Sequence, residues 1–69
     1  MAKIPLRAAR VAANYTQESL ADAMQVSRQT VINWESGKQD IHPAFLLYFC
    51  QLTGFSVDDI LLPAKSTTE

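Results

Sequence analysis

The chain has 69 residues, of which 48% are hydrophobic, and its six basic and seven acidic side chains give a net charge of −1. A chain of this length forms one small domain, because chains rarely divide into two domains below about 100 residues. One cysteine, Cys50, excludes an internal disulfide framework, and with His42 it cannot complete a structural zinc site. No apolar run approaches the roughly 18 residues of a membrane span, so we expect a small soluble domain without a membrane partner.

The charges are unevenly distributed along the chain. Residues 1–38 carry five bases and three acids, whereas residues 39–69 carry one base and four acids. Such a dipolar chain suits a protein that presents one surface to an anion and another surface to a different partner. Random scatter of so few charges is the alternative.

We predict an all-α fold of five helices, because glycine and proline are few and no segment alternates with a period of two. The first helix is predicted to begin at Pro5 and to run to about Ala13, where Asn14 ends it in the left-handed conformation. Thr16 then has the side chain and the position of a cap for a second helix at about Gln17–Met24.

The third and fourth helices have clear start and stop signals. Ser27 is predicted to cap the third helix, and Gly37 to end it. His42 precedes Pro43 at the start of the fourth helix, where the missing N–H of proline is harmless. Gly54 is predicted to end this helix.

A short fifth helix completes the predicted domain. Ser56 and Asp59 have the spacing of a capping box at its start, and Pro63 is predicted to end it. The domain is therefore predicted to cover residues 1–63, followed by a flexible tail over residues 64–69.

The segment 17–38 has the pattern of a helix-turn-helix. Two short predicted helices are separated by a tight turn, and Ala21 supplies the small residue that two steeply crossing helices need where they touch. Bulky apolar residues stand on both sides of the turn at Leu20, Met24, Val26, Val31 and Trp34. This arrangement is typical of domains that insert the second helix into the DNA major groove.

In this segment the chain resembles the Cro/cI-type (XRE-like) helix-turn-helix family of phage repressors and small bacterial regulators, through the run TQESLADAMQVSRQTVINWESGK. The similarity extends through GFSVDDILL and covers about residues 5–62. It implies a compact five-helix domain that binds operator DNA as a homodimer in the cytoplasm of a bacterium or a phage-infected host. One departure is Gln25, where many members have glycine, so a non-glycine residue must adopt an unusual backbone angle here.

Residues on the outer face of the third helix are predicted to read DNA bases. They are Arg28, Gln29, Thr30 and Asn33. Val31 and Trp34 turn inward and so leave this face outward, and the base-reading positions of the family fall on Arg28, Gln29 and Asn33. Arginine can bond guanine bidentately, glutamine and asparagine suit adenine, and Thr30 or Ile32 can meet a thymine methyl. An ordinary solvated helix face is the alternative.

A second set of residues is predicted to contact DNA phosphates. It comprises Lys3, Gln17, Ser27, Ser36 and Lys38. The family uses the position of Gln17 to clamp a phosphate beside a helix N-terminus, where N–H groups favour an anion. Alternatively, Gln17 and Ser27 only cap helices, and Lys38 is an exposed loop lysine. The resemblance also implies that Arg10 and Glu35 pair, in a structural role.

The fourth helix carries more apolar residues than one buried stripe can hold. Core positions are predicted at Phe45, Leu46, Phe49 and Leu52, and Cys50 is predicted to be a small buried hydrophobe. A dimer or partner interface is predicted at Leu47, Tyr48, Leu61 and Leu62. A two-fold dimer through this surface would place two third helices about 34 Å apart, whereas the alternative is a monomer with an apolar surface.

The sequence therefore predicts a sequence-specific DNA-binding transcriptional regulator, repressor-like, that uses no cofactor or metal. An enzyme is not expected, because the chain shows neither a nucleophile–base pair nor a glycine-rich phosphate loop. The alternative is a helix-turn-helix-shaped modulator or antirepressor that binds another repressor protein. The net negative charge favours this alternative, since non-specific DNA affinity comes from phosphate neutralisation, whereas Arg28, Gln29 and Asn33 argue against it.

Overall fold

The computed structural model describes residues 3–62, so Pro63 and the predicted tail 64–69 lie outside the described residues. Within this range the elements in chain order are β1 (Ile4–Pro5), α1 (Leu6–Ala12), α2 (Gln17–Met24), α3 (Arg28–Ser36), α4 (Pro43–Thr53), a 3₁₀ turn (Val57–Asp59) and β2 (Ile60–Leu61). The mainly helical prediction is confirmed. None of the helices in residues 3–62 is long and apolar enough to cross a membrane.

The helix starts follow the predicted capping residues. The Thr16 hydroxyl accepts a hydrogen bond from the backbone N–H of Ser19 at 2.9 Å, and the Ser19 hydroxyl accepts one from Thr16 N–H at 2.9 Å. Ser27 Oγ accepts from Thr30 N–H at 3.1 Å, and His42 caps α4 through its Nδ1. These bonds satisfy backbone donors that lack partners inside the helix.

Left-handed residues end the helices where the sequence predicts them. Asn14 and Gln25 have φ angles of 68° and 59°, and Gly37 and Gly54 have φ angles of 84° and 83°. Gln25 therefore adopts a left-handed φ angle at the position where many members of the resembled family have glycine. Pro5 is extended, with φ −68° and ψ 161°, so α1 begins one residue later than predicted.

The predicted fifth helix and the predicted absence of strands are both wrong. Ser56 and Asp59 do interact, with Asp59 Oδ2 accepting from the Ser56 N–H at 3.2 Å and from the Ser56 hydroxyl at 3.1 Å, but they enclose a single 3₁₀ turn. Ile60 then continues in an extended conformation, with its side chain buried, and β2 pairs in parallel with β1 so that Ile4 lies opposite Ile60. Strands of two residues are too short to show alternation in a sequence.

The core lies between the four helices and the strand pair. Buried apolar side chains come from every α-helix, from the loop before α4 and from β2: Leu6, Ala9, Leu20, Ala21, Met24, Val31, Trp34, Ile41, Leu46, Phe49, Cys50 and Ile60. Leu46 and Phe49 are core residues as predicted, and Leu52 packs against the core while partly buried. The prediction for Phe45 is wrong: the side chain is 39% exposed and lies beside Trp34, with 5.5 Å between the ring centroids.

Candidate nucleic-acid interface

The turn between α2 and α3 is closed by backbone hydrogen bonds. Val26 N–H donates to the Ala21 carbonyl at 3.0 Å, and Gln25 N–H donates to the Asp22 carbonyl at 3.2 Å. The Tyr48 hydroxyl on α4 donates to the Ala23 carbonyl at 3.1 Å, near the C-terminal end of α2. These contacts hold α3 at a fixed position relative to the rest of the domain, as a helix-turn-helix requires.

The four residues predicted to read bases lie on the first two turns of α3. Arg28 and Gln29 are exposed, whereas Thr30 and Asn33 are half-buried. Gln29 Nε2 donates to Asn33 Oδ1 at 3.1 Å, one helical turn further along the same face. The hydroxyls of Thr30 and Ser27 are hydrogen-bonded at 2.9 Å. Gln29 and Asn33 therefore share one face of α3, whereas Arg28 and Thr30 lie on either side of that face.

A buried ion pair connects α1, α2 and α3. Arg10 Nε lies 2.6 Å from Glu35 Oε2, and the two side chains are only 9% and 8% exposed. Arg10 also donates to the Tyr15 carbonyl at 2.9 Å. Gln17 Nε2 donates to Glu35 Oε1 at 3.2 Å. Arg10 and Glu35 therefore pair as the resemblance implied, and the Glu35 carboxylate also fixes the orientation of the Gln17 amide.

The residues predicted to contact phosphates lie at both ends of α3 and beyond it. Gln17 opens α2, Ser27 caps α3, and Ser36 and Lys38 lie at the C-terminal end of α3. Ser36 Oγ donates to the Asn33 carbonyl at 3.3 Å, and Lys38 is exposed. Lys3 stands apart from this group, because it precedes the strand that pairs with β2.

An open cleft lies beside the start of α2 and is rich in arginine. Its lining comprises Arg7, Arg10, Val11, Tyr15, Thr16, Gln17, Glu18 and Arg28. Arg10 is neutralised by Glu35, so Arg7 and Arg28 against Glu18 leave the cleft with a small positive charge, which suits a phosphate. Sequence reasoning missed Arg7. The available signal was its spacing from Arg10, since residues three apart share one face of a helix.

A second set of exposed residues, which we call the apolar surface, is apolar apart from the Tyr48 hydroxyl, which is bonded to the Ala23 carbonyl. It comprises the four predicted interface residues Leu47, Tyr48, Leu61 and Leu62, which are 57%, 41%, 53% and 42% exposed. Leu62 also lines a groove formed with Trp34 and residues between Gly37 and Pro43.

Burial raises the pKa of the Cys50 thiol, and the Asp59 carboxylate raises it further, which suits a buried neutral side chain.

A model of the helix-turn-helix family matches residues 6–60 of the chain. The matched range begins with α1, includes all four α-helices and ends at the first residue of β2. No curated protein and no solved structure matches the chain.

Proposed function

The chain belongs to the XRE-type, Cro/cI-like helix-turn-helix family of DNA-binding regulators, and on this premise we propose that it is a sequence-specific transcriptional repressor. In this proposal α3 enters the major groove of operator DNA, and the protein acts by binding, without catalysis or a cofactor. The observation that carries the proposal is the outward polar face of α3, on a helix fixed by the turn after Gln25 and by the Arg10–Glu35 pair. The proposal includes a location with access to operator DNA, which is the cytoplasm of a bacterium or a phage-infected host.

Base reading is assigned to Arg28, Gln29, Thr30 and Asn33. The exposed Arg28 guanidinium has the paired donors that match guanine O6 and N7. The amides of Gln29 and Asn33 have donors and acceptors of the kind that adenine requires. The Thr30 hydroxyl is already bonded to Ser27, so we assign its methyl group to a thymine methyl.

Phosphate binding is assigned to two positions flanking α3. At one end are Gln17 and Ser27, together with Arg7 of the arginine-rich cleft. At the other end are Ser36 and Lys38, and Lys3, directly before β1, is proposed as a separate contact. Such contacts set the register of α3 on the duplex and make affinity fall with salt, because each neutralised phosphate releases counterions.

We further propose that the protein binds as a homodimer through the apolar surface. A chain this small has a limited core, and four exposed apolar side chains in and near α4 and β2 offer area for a second copy. Two-fold symmetry would then set two α3 helices about one DNA turn, or ~34 Å, apart on a palindrome. Sedimentation equilibrium measures this directly, and a monomer at high protein concentration would contradict it.

A second candidate function is a modulator or antirepressor that binds another repressor protein. It is favoured by the net charge of −1, which leaves little positive charge for phosphates, and by the same apolar surface. In this case the partner, rather than a second copy, would cover Leu47, Leu61 and Leu62.

Selection of random duplex DNA by the purified protein at two salt concentrations tests the primary proposal. Enrichment of a palindrome with half-sites one turn apart is the expected result, whereas no enrichment at either salt would favour the modulator.

Arg28→Ala should relax the preference at one base pair and weaken binding by about 1–3 kcal/mol. Lys38→Ala should weaken binding to all sequences alike and reduce the salt slope by about one. Equal effects of both variants on every sequence would contradict base reading by Arg28.

A further inference from the structure

The arginine-rich cleft contains two cations that no carboxylate neutralises directly. Arg10 is paired with Glu35, whereas within residues 3–62 neither Arg7 nor Arg28 takes part in an ion pair. Both of these side chains are exposed where they line the cleft. Their guanidinium groups are therefore open to an anion that approaches from solvent.

Glu18 places a negative charge in this same cleft. Of the acidic side chains that the structure describes, only Glu18 lines it. The residue is exposed and lies in the first turn of α2, where the backbone N–H groups of a helix favour a carboxylate. A phosphate is favoured in that position for the same reason. Glu18 therefore stands where the proposed function brings a DNA phosphate.

The repulsion between Glu18 and such a phosphate is weak but measurable. Two unit charges several ångströms apart in water repel each other by an amount that changes a binding constant about twofold to fivefold. Salt reduces this repulsion, because the Debye length falls as the ionic strength rises. The repulsion does not depend on base sequence, since every duplex presents phosphates.

We propose that Glu18 limits the sequence-independent part of the DNA affinity, by opposing the phosphate that Arg7 attracts. The inference rests on the proposed DNA-binding function and adds a residue that weakens binding. Non-operator DNA is then held weakly, in keeping with the net charge of −1.

Fluorescence anisotropy with a labelled duplex of arbitrary sequence tests the proposal, at about 50 mM and about 200 mM salt. Glu18→Gln removes the charge and retains the shape of the side chain. It should bind about twofold to fivefold more tightly than the wild type at the lower salt, and this advantage should shrink at the higher salt. A variant that binds no more tightly than the wild type would overturn the proposal.

Asp22→Asn is the matched control. It removes one negative charge from an exposed position one turn further along α2, outside the cleft, and should give a smaller gain in affinity. An equal gain in both variants would show that only the net charge of the protein matters, and the assignment to Glu18 would be wrong.

Thermal unfolding separates this role from a structural one. Because Glu18 interacts favourably with the start of α2, Glu18→Gln should lower the melting temperature by about 1–5 °C while its DNA affinity rises. A side chain with only a structural role would not raise the affinity on removal.

A third variant, Arg7→Gln, reports whether the cleft faces DNA, and it should weaken binding to every duplex. If the wild type selects an operator but Arg7→Gln and Glu18→Gln bind as the wild type does, the cleft lies away from DNA, and the inference fails while the regulator proposal stands. If neither the wild type nor Glu18→Gln binds the labelled duplex or selects any sequence, DNA binding itself fails.

Discussion

The helix-turn-helix region, residues 6–38, buries a charged pair, whereas the C-terminal region, residues 39–62, buries a neutral thiol. The first region buries a guanidinium and a carboxylate, Arg10 and Glu35, and gives both of them hydrogen-bond partners. The second region buries Cys50, whose raised pKa keeps the thiol neutral. On its outside the first region presents the polar side chains of α3, whereas the second presents leucines.

This difference separates directional from non-directional recognition. A polar group held by a fixed partner, such as Gln17 on the Glu35 carboxylate, presents its remaining donor in a set direction, which contacting DNA requires. Exposed apolar area without polar partners has no preferred direction and favours contact with another protein surface. The helix-turn-helix region thus presents a polar surface, and the C-terminal region presents an apolar one.

The largest expected effect breaks the buried ion pair. Glu35→Ala leaves the Arg10 guanidinium, 9% exposed, without its carboxylate and should lower the free energy of unfolding by about 3–5 kcal/mol. For a chain of this length that loss is comparable to the whole stability, at about 0.05–0.15 kcal/mol per residue. Urea unfolding followed by circular dichroism measures it. Asp22→Ala, which removes the same charge from an exposed site, is the control, and equal losses in both variants would contradict the role of the pair.

Local chemistry explains which parts of this fold could be predicted from the sequence. The caps at Thr16 and Ser27 and the left-handed residue Asn14 depend on residue type within a few positions, so the sequence indicates them. The polar face of α3 was predictable for the same reason, since helical periodicity places it opposite the buried side chains. The left-handed Gln25 was expected only from the family resemblance, in which many members have glycine at this position.

The remaining features depend on contacts between distant residues. The strand pair exists because Ile4 and Ile60 meet, and neither two-residue segment has a pattern of its own. The spacing of Arg7 from Arg10 places both on one face of α1, but only the fold shows that this face lies beside residues of α2 and α3. Phe45 was misplaced because α4 is apolar around most of its circumference, so periodicity alone did not separate its buried stripe from its rim.

The second prediction sharpens the difference between core and surface within α4. Leu46 is 9% exposed and its neighbour Leu47 is 57% exposed. Leu46→Ala should destabilise the fold by about 2–5 kcal/mol, through lost burial and the cavity left behind. Leu47→Ala should change stability by less than about 0.5 kcal/mol but should weaken self-association in sedimentation equilibrium, if the apolar surface holds the dimer. Similar unfolding midpoints for the two variants would show that the assigned burial is incorrect.

The third prediction concerns backbone strain in the turn of the helix-turn-helix region. Gln25 holds a φ of 59°, an angle that is unfavourable for a residue with a Cβ atom. Gln25→Gly should therefore stabilise the protein by about 0.5–1 kcal/mol, after the entropy that glycine loses on folding is deducted. Asn14→Gly, at φ 68°, should gain less, because asparagine tolerates this conformation better. Thermal unfolding compares the two, and a destabilised Gln25→Gly would mean that the glutamine side chain stabilises the turn.

The smallest expected effect is a pH dependence of the unfolding free energy that arises from Cys50 in the C-terminal region. Burial, and then the Asp59 carboxylate, raise the pKa of Cys50 above its ordinary value of 9.0, so the folded state holds the thiol proton more tightly than the unfolded chain does. The resulting stabilisation is fully present below pH 9.0 and is lost as the pH rises through the higher pKa of the folded state. Other groups titrate in this range, so the measured quantity is the difference in unfolding free energy between the wild type and Cys50→Ala. This difference should shrink above about pH 9, because the variant has no thiol to ionise. A difference that stays constant to about pH 10 would show that the thiol is as free to ionise in the folded protein as in the unfolded chain.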